Sequence, residues 1–389
     1  MFHRQRLTIL PAMLFVAVSA ANASACPFCA APTQTLAEQV ETADAVVLVE
    51  WVKSNKSDGR LPGNTTVKIK KVAKGSKAAL KPGATLFLRG YRPGKKGDLF
   101  LLMGQRADNV EWGAPLDVSQ ASYNYIIGAP SPKRPRVERL KYYLKYLEFP
   151  DTVVANDAYF EFANAPYKDI AKLAKALPRE RIRKWINSAD TPITRQGLHG
   201  LLLGLCGNKD DAALMKKKIL KDSKEYRLGI EGVMSGYLLL AGETGLQVLE
   251  DSKLENDKVA FSETYAAMQA LNFMWEFAPD RIKKRRLKES MRILLNRPTI
   301  ADIVIAHLAR WKDWDVQDRL LKLYDHKDYD IPAIKRAVVR FLLVCRKDFP
   351  AGTPPAKLPP HVRKAKANLE RLRKKDPKTV KHAERFFYG

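Results

Sequence analysis

The chain has little with which to do covalent chemistry. Its 389 residues include only four cysteines and six histidines. Four cysteines are too few for a disulfide-stapled scaffold. The nucleophile elbow G-x-S-x-G is absent: Gly232-Val233-Met234-Ser235-Gly236 carries its serine one place late. There is no H-E-x-x-H and no phosphate-cradling G-x-x-x-x-G-K-[ST] loop. These gaps lead us to expect no enzyme, no catalytic residues, no metal and no cofactor. Acidic residues are also scarce. Asp and Glu number 42 against 68 Lys and Arg, a formal charge of +26. Beyond the first 25 residues no apolar run approaches the roughly 20 residues of a membrane helix.

What is present begins with an export signal at residues 1–25. Arg4 and Arg6 form a positive n-region, Leu7 to Ala20 a mostly apolar stretch interrupted by Pro11, and Ala23-Ser24-Ala25 an A-x-A cleavage site. A run of about 14 residues is too short for a retained anchor. Removing the leader lowers the formal charge from +26 to +24 and predicts a periplasmic or extracellular protein.

Cleavage would place Cys26-Pro27-Phe28-Cys29 at the mature N-terminus. A thioredoxin-type CxxC follows a strand inside a βαβ unit, and none precedes this one. A haem site needs His at position 30, which is Ala, and a zinc site needs two further ligands. Cys26 and Cys29 therefore read as a local disulfide or, at Cys26, a lipid anchor that would attach the protein to a membrane. Cys206 and Cys345 lie in apolar helical contexts and read as buried free thiols.

Residues 26–130 read as a small β domain. Thr35-Leu36-Ala37-Glu38 forms a capping box opening a helix to Ala43. Ala45–Val52, Thr65–Val72, Ala84–Gly90, Leu99–Met103 and Ala121–Ile127 read as strands. The Pro- and Gly-bearing segment Tyr91–Asp98 suits a hairpin loop. Five short strands in about 90 residues suit an OB-type barrel. The N-terminal Cys, the nearby Cys29, and Thr35, Glu38, Ala43, Asp44, Ala45 and Val46 leading into the first strand resemble the netrin-like domain family, which includes tissue inhibitors of metalloproteinases. That resemblance implies an OB barrel, and an inhibitor whose N-terminal Cys amine and carbonyl chelate a protease zinc. The chain departs from the family in having no Cys between 29 and 206, and in spacing its first two cysteines by two residues rather than one.

After Pro130-Ser131-Pro132-Lys133-Arg134-Pro135 the character changes. Residues 131–155 form a linker and connecting helix, with Val137, Leu140, Tyr143, Leu144 and Leu147 on one stripe. Over 156–349, helical runs alternate with polar turns. Arg195-Gln196-Gly197-Leu198-His199-Gly200-Leu201 matches Arg227-Leu228-Gly229-Ile230-Glu231-Gly232-Val233, offset by 32. Apolar helices at Ile300–Leu308 and Ile334–Cys345 keep a similar spacing. Gly197, Gly200, Gly229 and Gly232 would let neighbouring helices approach closely. The period resembles HEAT or armadillo-like solenoids, a likeness that implies stacked helix pairs and a macromolecular partner. Residues 350–389 read as a Pro-rich hinge and a basic C-terminal helix. The predicted fold class is multidomain α+β: an OB-like β-barrel, then an all-α HEAT-like helical-repeat domain.

The basic excess predicts an acidic protein or anionic polymer as partner. Export disfavours nucleic acid. Local basic peaks nominate Arg281, Lys283, Lys284, Arg285, Arg286 and Lys288, and then Arg371, Arg373, Lys374 and Lys375. Asp325-His326-Lys327-Asp328-Tyr329-Asp330 lacks the Gly and distal Glu of a calcium loop. Asp330 before Ile331-Pro332 reads as a helix N-cap. His199 and His307 read as packing or surface positions. The expected function is an exported, non-enzymatic interaction or scaffold protein. A CxxC redox or metal-handling protein and a metalloprotease inhibitor are the alternatives.

Overall fold

We describe the protein from a computed structural model, which covers residues 26–28, 34–57, 62–76, 80–106, 109–221 and 226–385. Residues 1–25, read above as an export signal, and Cys29 lie outside these residues. The first helix, α1 (Leu36–Thr42), starts at the expected capping box. Thr35 Oγ1 accepts from the Glu38 amide and Glu38 Oε2 accepts from the Thr35 amide. Six strands follow: β1 (Ala45–Asn55), β2 (Asn64–Lys74), β3 (Thr85–Arg89), β4 (Leu99–Gln105), β5 (Glu111–Trp112) and β6 (Leu116–Val118). They form one antiparallel, nearly closed barrel-like sheet of order β3-β2-β1-β4-β5, with β6 also paired to β4.

Strand β1 is buried on both faces, which explains its near-continuous apolar run. Ala45, Val47 and Val49 pack inside the barrel with Val67, Ile69, Phe100 and Leu102. Val46 and Leu48 point the other way and join Leu101 in the core of the helical part. The barrel and the helices thus share one central strand.

Two expectations for this region are corrected. Residues 121–127 are not a strand but lie in α2 (Gln120–Gly128). Tyr and Ile favour strands intrinsically, but Ser119 and Ser122 cap one another in a second capping box. Ser122, Tyr123 and Ile126 then fall on one buried helical face. Tyr91–Asp98 is not a hairpin loop, because β3 and β4 do not pair. The segment crosses over Trp51 of β1, whose indole N–H donates to the Arg92 carbonyl at 3.2 Å and whose amide donates to that of Asp98 at 2.9 Å. Gly94 is needed for that crossing: a Cβ there would sit 2.6 Å from the indole.

Helices make up the rest: α3 (Arg136–Tyr143), α4 (Thr152–Ala163), α5 (Tyr167–Ala171), α6 (Arg179–Asn187), α7 (Gln196–Cys206), α8 (Lys209–Leu220), α9 (Ile230–Leu249), α10 (Phe261–Phe277), α11 (Lys284–Ile293), α12 (Ala301–Arg310), α13 (Gln317–Tyr324), α14 (Pro332–Cys345), α15 (Pro360–Lys375) and α16 (Pro377–Arg385). The C-terminal basic segment is two helices, not one, because Asp376-Pro377 breaks it. The N-cap of α14 is Ile331 rather than Asp330. Asp330 instead closes the preceding turn and pairs with Lys335 at 2.6 Å.

The repeat read from the glycines is a packing register. A Cβ on Gly197 would meet Gly229 Cα at 3.4 Å. One on Gly200 would meet Val233 Cα at 2.6 Å, and one on Gly204 would meet Gly236 Cα at 2.3 Å. The contacts advance together along α7 and α9, so the two helices run parallel, with α8 as the return. Close backbone approach replaces the side-chain layer that usually separates helices by 8–10 Å.

Carboxylates tie the parts together. Asp157 on α4 accepts from the Leu36 amide at 2.7 Å and from the Tyr125 hydroxyl at 2.8 Å. One buried side chain thereby joins α1, α2 and α4. Burial pushes its carboxyl up to about 6, against the lowering effect of those two hydrogen bonds. Further along, Arg227 grips Glu263, Arg286 grips Glu250 and Lys312 grips Asp348, each pair 36 residues apart in sequence.

Candidate anion-binding groove

Helix α11 buries Leu287, Ser290 and Met291 and turns its basic residues outward. Its outer face lies beside the C-terminal ends of α10 and α12, where Trp275 and Arg310-Trp311-Lys312 sit. Helix C-termini carry partial negative charge, which favours cations there. Together they line a groove of about 740 Å³. Six cations border it (Lys284, Arg285, Lys288, Arg292, Arg310 and Lys312) against two acids, Glu289 and Asp315. Counting also Asp313 and Asp348, which pair with Arg292 and Lys312, six cations face four acids, an excess of two positive charges.

The groove wall is built on stacked rings and paired side chains. Trp275 and Trp311 stack with centroids 4.3 Å apart and planes 7° from parallel. Lys284 Nζ lies 4.8 Å over the Trp275 ring. Arg292 forks onto the buried Asp313, with Nε donating to Oδ2 at 2.7 Å. That pairing raises the guanidinium pKa further. Lys288 donates to the Lys312 carbonyl at 3.1 Å. Arg285 makes an exposed i,i+4 pair with Glu289. Solvated pairs of that kind are worth ~0.2–1 kcal/mol, so Arg285 is easily released to a ligand.

The structure divides the residues nominated from sequence. Lys284, Arg285 and Lys288 line the groove. Arg286 does not: its Nη2 donates to both Glu250 oxygens at 3.0 Å, and Ser290 Oγ donates to the same carboxylate at 2.6 Å. Arg281 and Lys283 are exposed just before α11. Of the C-terminal group, Arg373 faces a second groove of about 600 Å³ with Arg346, Lys347, Phe349, Lys366 and Glu370. Arg373 also pairs with Glu384, and Lys375 with Asp325. Arg371 and Lys374 are exposed outside it. Sequence reasoning missed Arg292, Arg310 and Lys312, and Arg346, Lys347 and Lys366. No long basic run marks them; the usable signal was the recurrence of Arg310-Trp311-Lys312, 36 residues on, as Arg346-Lys347.

The other candidate, Cys26, is enclosed. It is 5% exposed, and its amide donates to the Ala163 carbonyl at 2.9 Å. Phe28 packs on Phe273 with centroids 5.1 Å apart. Cys26 is disulfide-bonded, while Cys206 and Cys345 are free thiols, Cys345 buried as expected and Cys206 only half-buried. Burial pushes those thiols up to about 11 and about 12, far from a reactive thiolate. His199 is buried between Trp185 and Glu148, its Nε2 3.2 Å from the carboxylate. Burial and the adjacent Arg310 push His307 down to about 4, so it stays neutral at neutral pH.

No protein-family model, no curated protein and no solved structure matches this chain. The class of protein defined here is an α+β chain with a small barrel-like sheet built onto a long helical array.

Proposed function

We propose that this chain is an exported, non-enzymatic binding protein. In this reading a netrin-like barrel is joined to a HEAT-like array, and the array holds an acidic protein or polymer of the cell envelope. The observation that carries the reading is the groove of Lys284, Arg285, Lys288, Arg292, Arg310 and Lys312, six cations that outnumber the two lining acids and the Asp313 and Asp348 carboxylates held by Arg292 and Lys312. Arg292, held by Asp313, and Lys284, held over Trp275, lose little side-chain freedom on binding, which favours affinity. Anions concentrate at such a surface and are steered to it.

The surroundings of Cys26 weigh against the two alternatives. A thiol redox centre needs an accessible sulfur, and this one is buried and bonded. Zinc chelation by an N-terminal Cys needs its amine and carbonyl to face the protease, and this main-chain nitrogen is turned inward onto Ala163.

The test is fluorescence anisotropy of labelled poly-glutamate with the full mature chain, at 50 and 500 mM NaCl. Salt should weaken binding roughly tenfold or more, since the Debye length falls from about 10 Å at 0.1 M to about 3 Å at 1 M. The Lys284→Glu/Arg310→Glu variant should lose binding to a similar extent. Binding unchanged by both salt and the variant overturns the reading.

A further inference from the structure

The two basic grooves adjoin. Lys312 lines the first, and its ammonium holds Asp348 at 2.5 Å, beside Lys347 of the second. They also share a design. In the first, Lys284 lies over Trp275; in the second, Lys366 lies over Phe349 at 5.6 Å. The basic ends of α12 and α14, Arg310-Trp311-Lys312 and Arg346-Lys347, recur at the same 36-residue interval that separates Lys312 from Asp348. We propose that the two grooves form one continuous track along the C-terminal edge of the array, and that its occupant is an extended acidic polypeptide segment engaging both at once.

This rests on the anion-binding reading above and specifies the partner. The aromatic wall argues against a ligand read through its rings. Trp275 has Lys284 on one face and Trp311 on the other, so neither face is open to stack a base or a sugar. What the edge does accept is carboxylate: Arg292 already forks onto Asp313, and Lys312 and Trp314 hold Asp348. A row of aspartates or glutamates from a partner chain extends that chemistry to Lys284, Arg285, Arg310, Lys347 and Lys366. Neighbouring helices lie about 10 Å apart, so two successive positions span roughly 20 Å. An extended chain covers that in about six residues at ~3.3 Å each.

The test uses the full mature chain and two labelled 12-residue peptides. One has a block of four glutamates at each end and a Ser/Gly middle; the other has a single block. Two blocks on one groove gain only a statistical factor of about two. Simultaneous engagement should gain ~30-fold or more, within the range of linked binding events. The Lys347→Glu/Lys366→Glu variant, altered only at exposed positions, should remove that gain and weaken the single-block peptide by no more than about twofold, the statistical share of the second groove. A gain of twofold or less, or one that survives the variant, refutes the track while the single groove stands. If polyphosphate binds and neither peptide does, the polypeptide assignment is refuted. If no polyanion binds, the anion-binding reading itself falls.

Discussion

The glycine register between α7 and α9 permits a test in which the usual sign of a substitution reverses. An ideal Cβ on Gly236 lies 2.0 Å from the Gly200 carbonyl oxygen and 2.8 Å from its carbon. Ordinary contact begins near 3.4 Å, so Gly236→Ala forces the two helices apart by roughly 1.4 Å. That separation also opens the contacts at Gly197, Gly204 and Gly232. A gap of even 0.5–1 Å forfeits about a quarter to a half of each dispersion contact, and overpacking a rigid interface costs ~3 kcal/mol. Alanine returns about 1 kcal/mol of helix propensity. The net loss is about 2 kcal/mol or more, a fall of about 4–8 °C in the melting temperature of the array. Gly128 supplies the control. It is an exposed helical glycine whose nearest neighbour, the Tyr142 hydroxyl, would lie 3.4 Å from a Cβ. Gly128→Ala should be neutral or stabilising by up to about 1 kcal/mol. Differential scanning calorimetry of both variants decides the matter. A Gly236→Ala protein as stable as the parent would refute the parallel close-packed register.

Three other outcomes follow from the geometry. Asp157 holds its proton up to about pH 6 in the folded state, against 3.8 when unperturbed. Folded protein therefore binds more protons than unfolded, and stability falls as pH rises from about 4 through 6. Asp157→Asn should stabilise by up to about 3 kcal/mol at pH 7 and by nothing near pH 3; urea titrations at both pH values would expose a constant or inverted difference. Arg286→Ala strands the buried Glu250 and should cost roughly 2 kcal/mol, below the ~3–5 of a fully buried pair because Arg286 is partly exposed. Lys284→Ala should leave unfolding unchanged, and equal effects in calorimetry would contradict the division of the basic cluster. Cys206 and Cys345, with thiols pushed up to about 11 and about 12, should resist iodoacetamide at pH 8 in the native protein and react in urea, as read by intact mass. Rapid native labelling would contradict their environment.

Local signals were the most legible parts of the chain. The capping box at Thr35 and Glu38 fixes the start of α1 within a single turn, so nothing distant can move it. The glycines of α7 and α9 were legible because close approach tolerates no other residue there. Residues 121–127 were misread because their intrinsic preference is for strand, while the deciding groups, Ser119 and Ser122, act from one end. The connector 91–98 announced a turn, but which strand follows it into the sheet depends on β1 having two partners, a long-range fact. The groove was half legible. The run at 281–288 stood out, yet Arg286 is spent on Glu250. Arg310 and Lys312 arrive from the next helix, where single basic residues carry no local signature. The junction at Cys26 was legible as a special position, but its burial against α4 and α10 depends on helices more than 130 residues away.

In this reading anionic partners occupy the C-terminal edge of the array and not the exposed lysines of β2, Lys68, Lys70 and Lys71. Lysine acetylation of the full chain, read by mass spectrometry with and without saturating poly-glutamate, is the decisive measurement. Poly-glutamate should slow modification of Lys284, Lys312, Lys347 and Lys366 and leave Lys68, Lys70 and Lys71 on β2 unchanged. Protection of the β2 lysines, with the groove lysines unprotected, would contradict it.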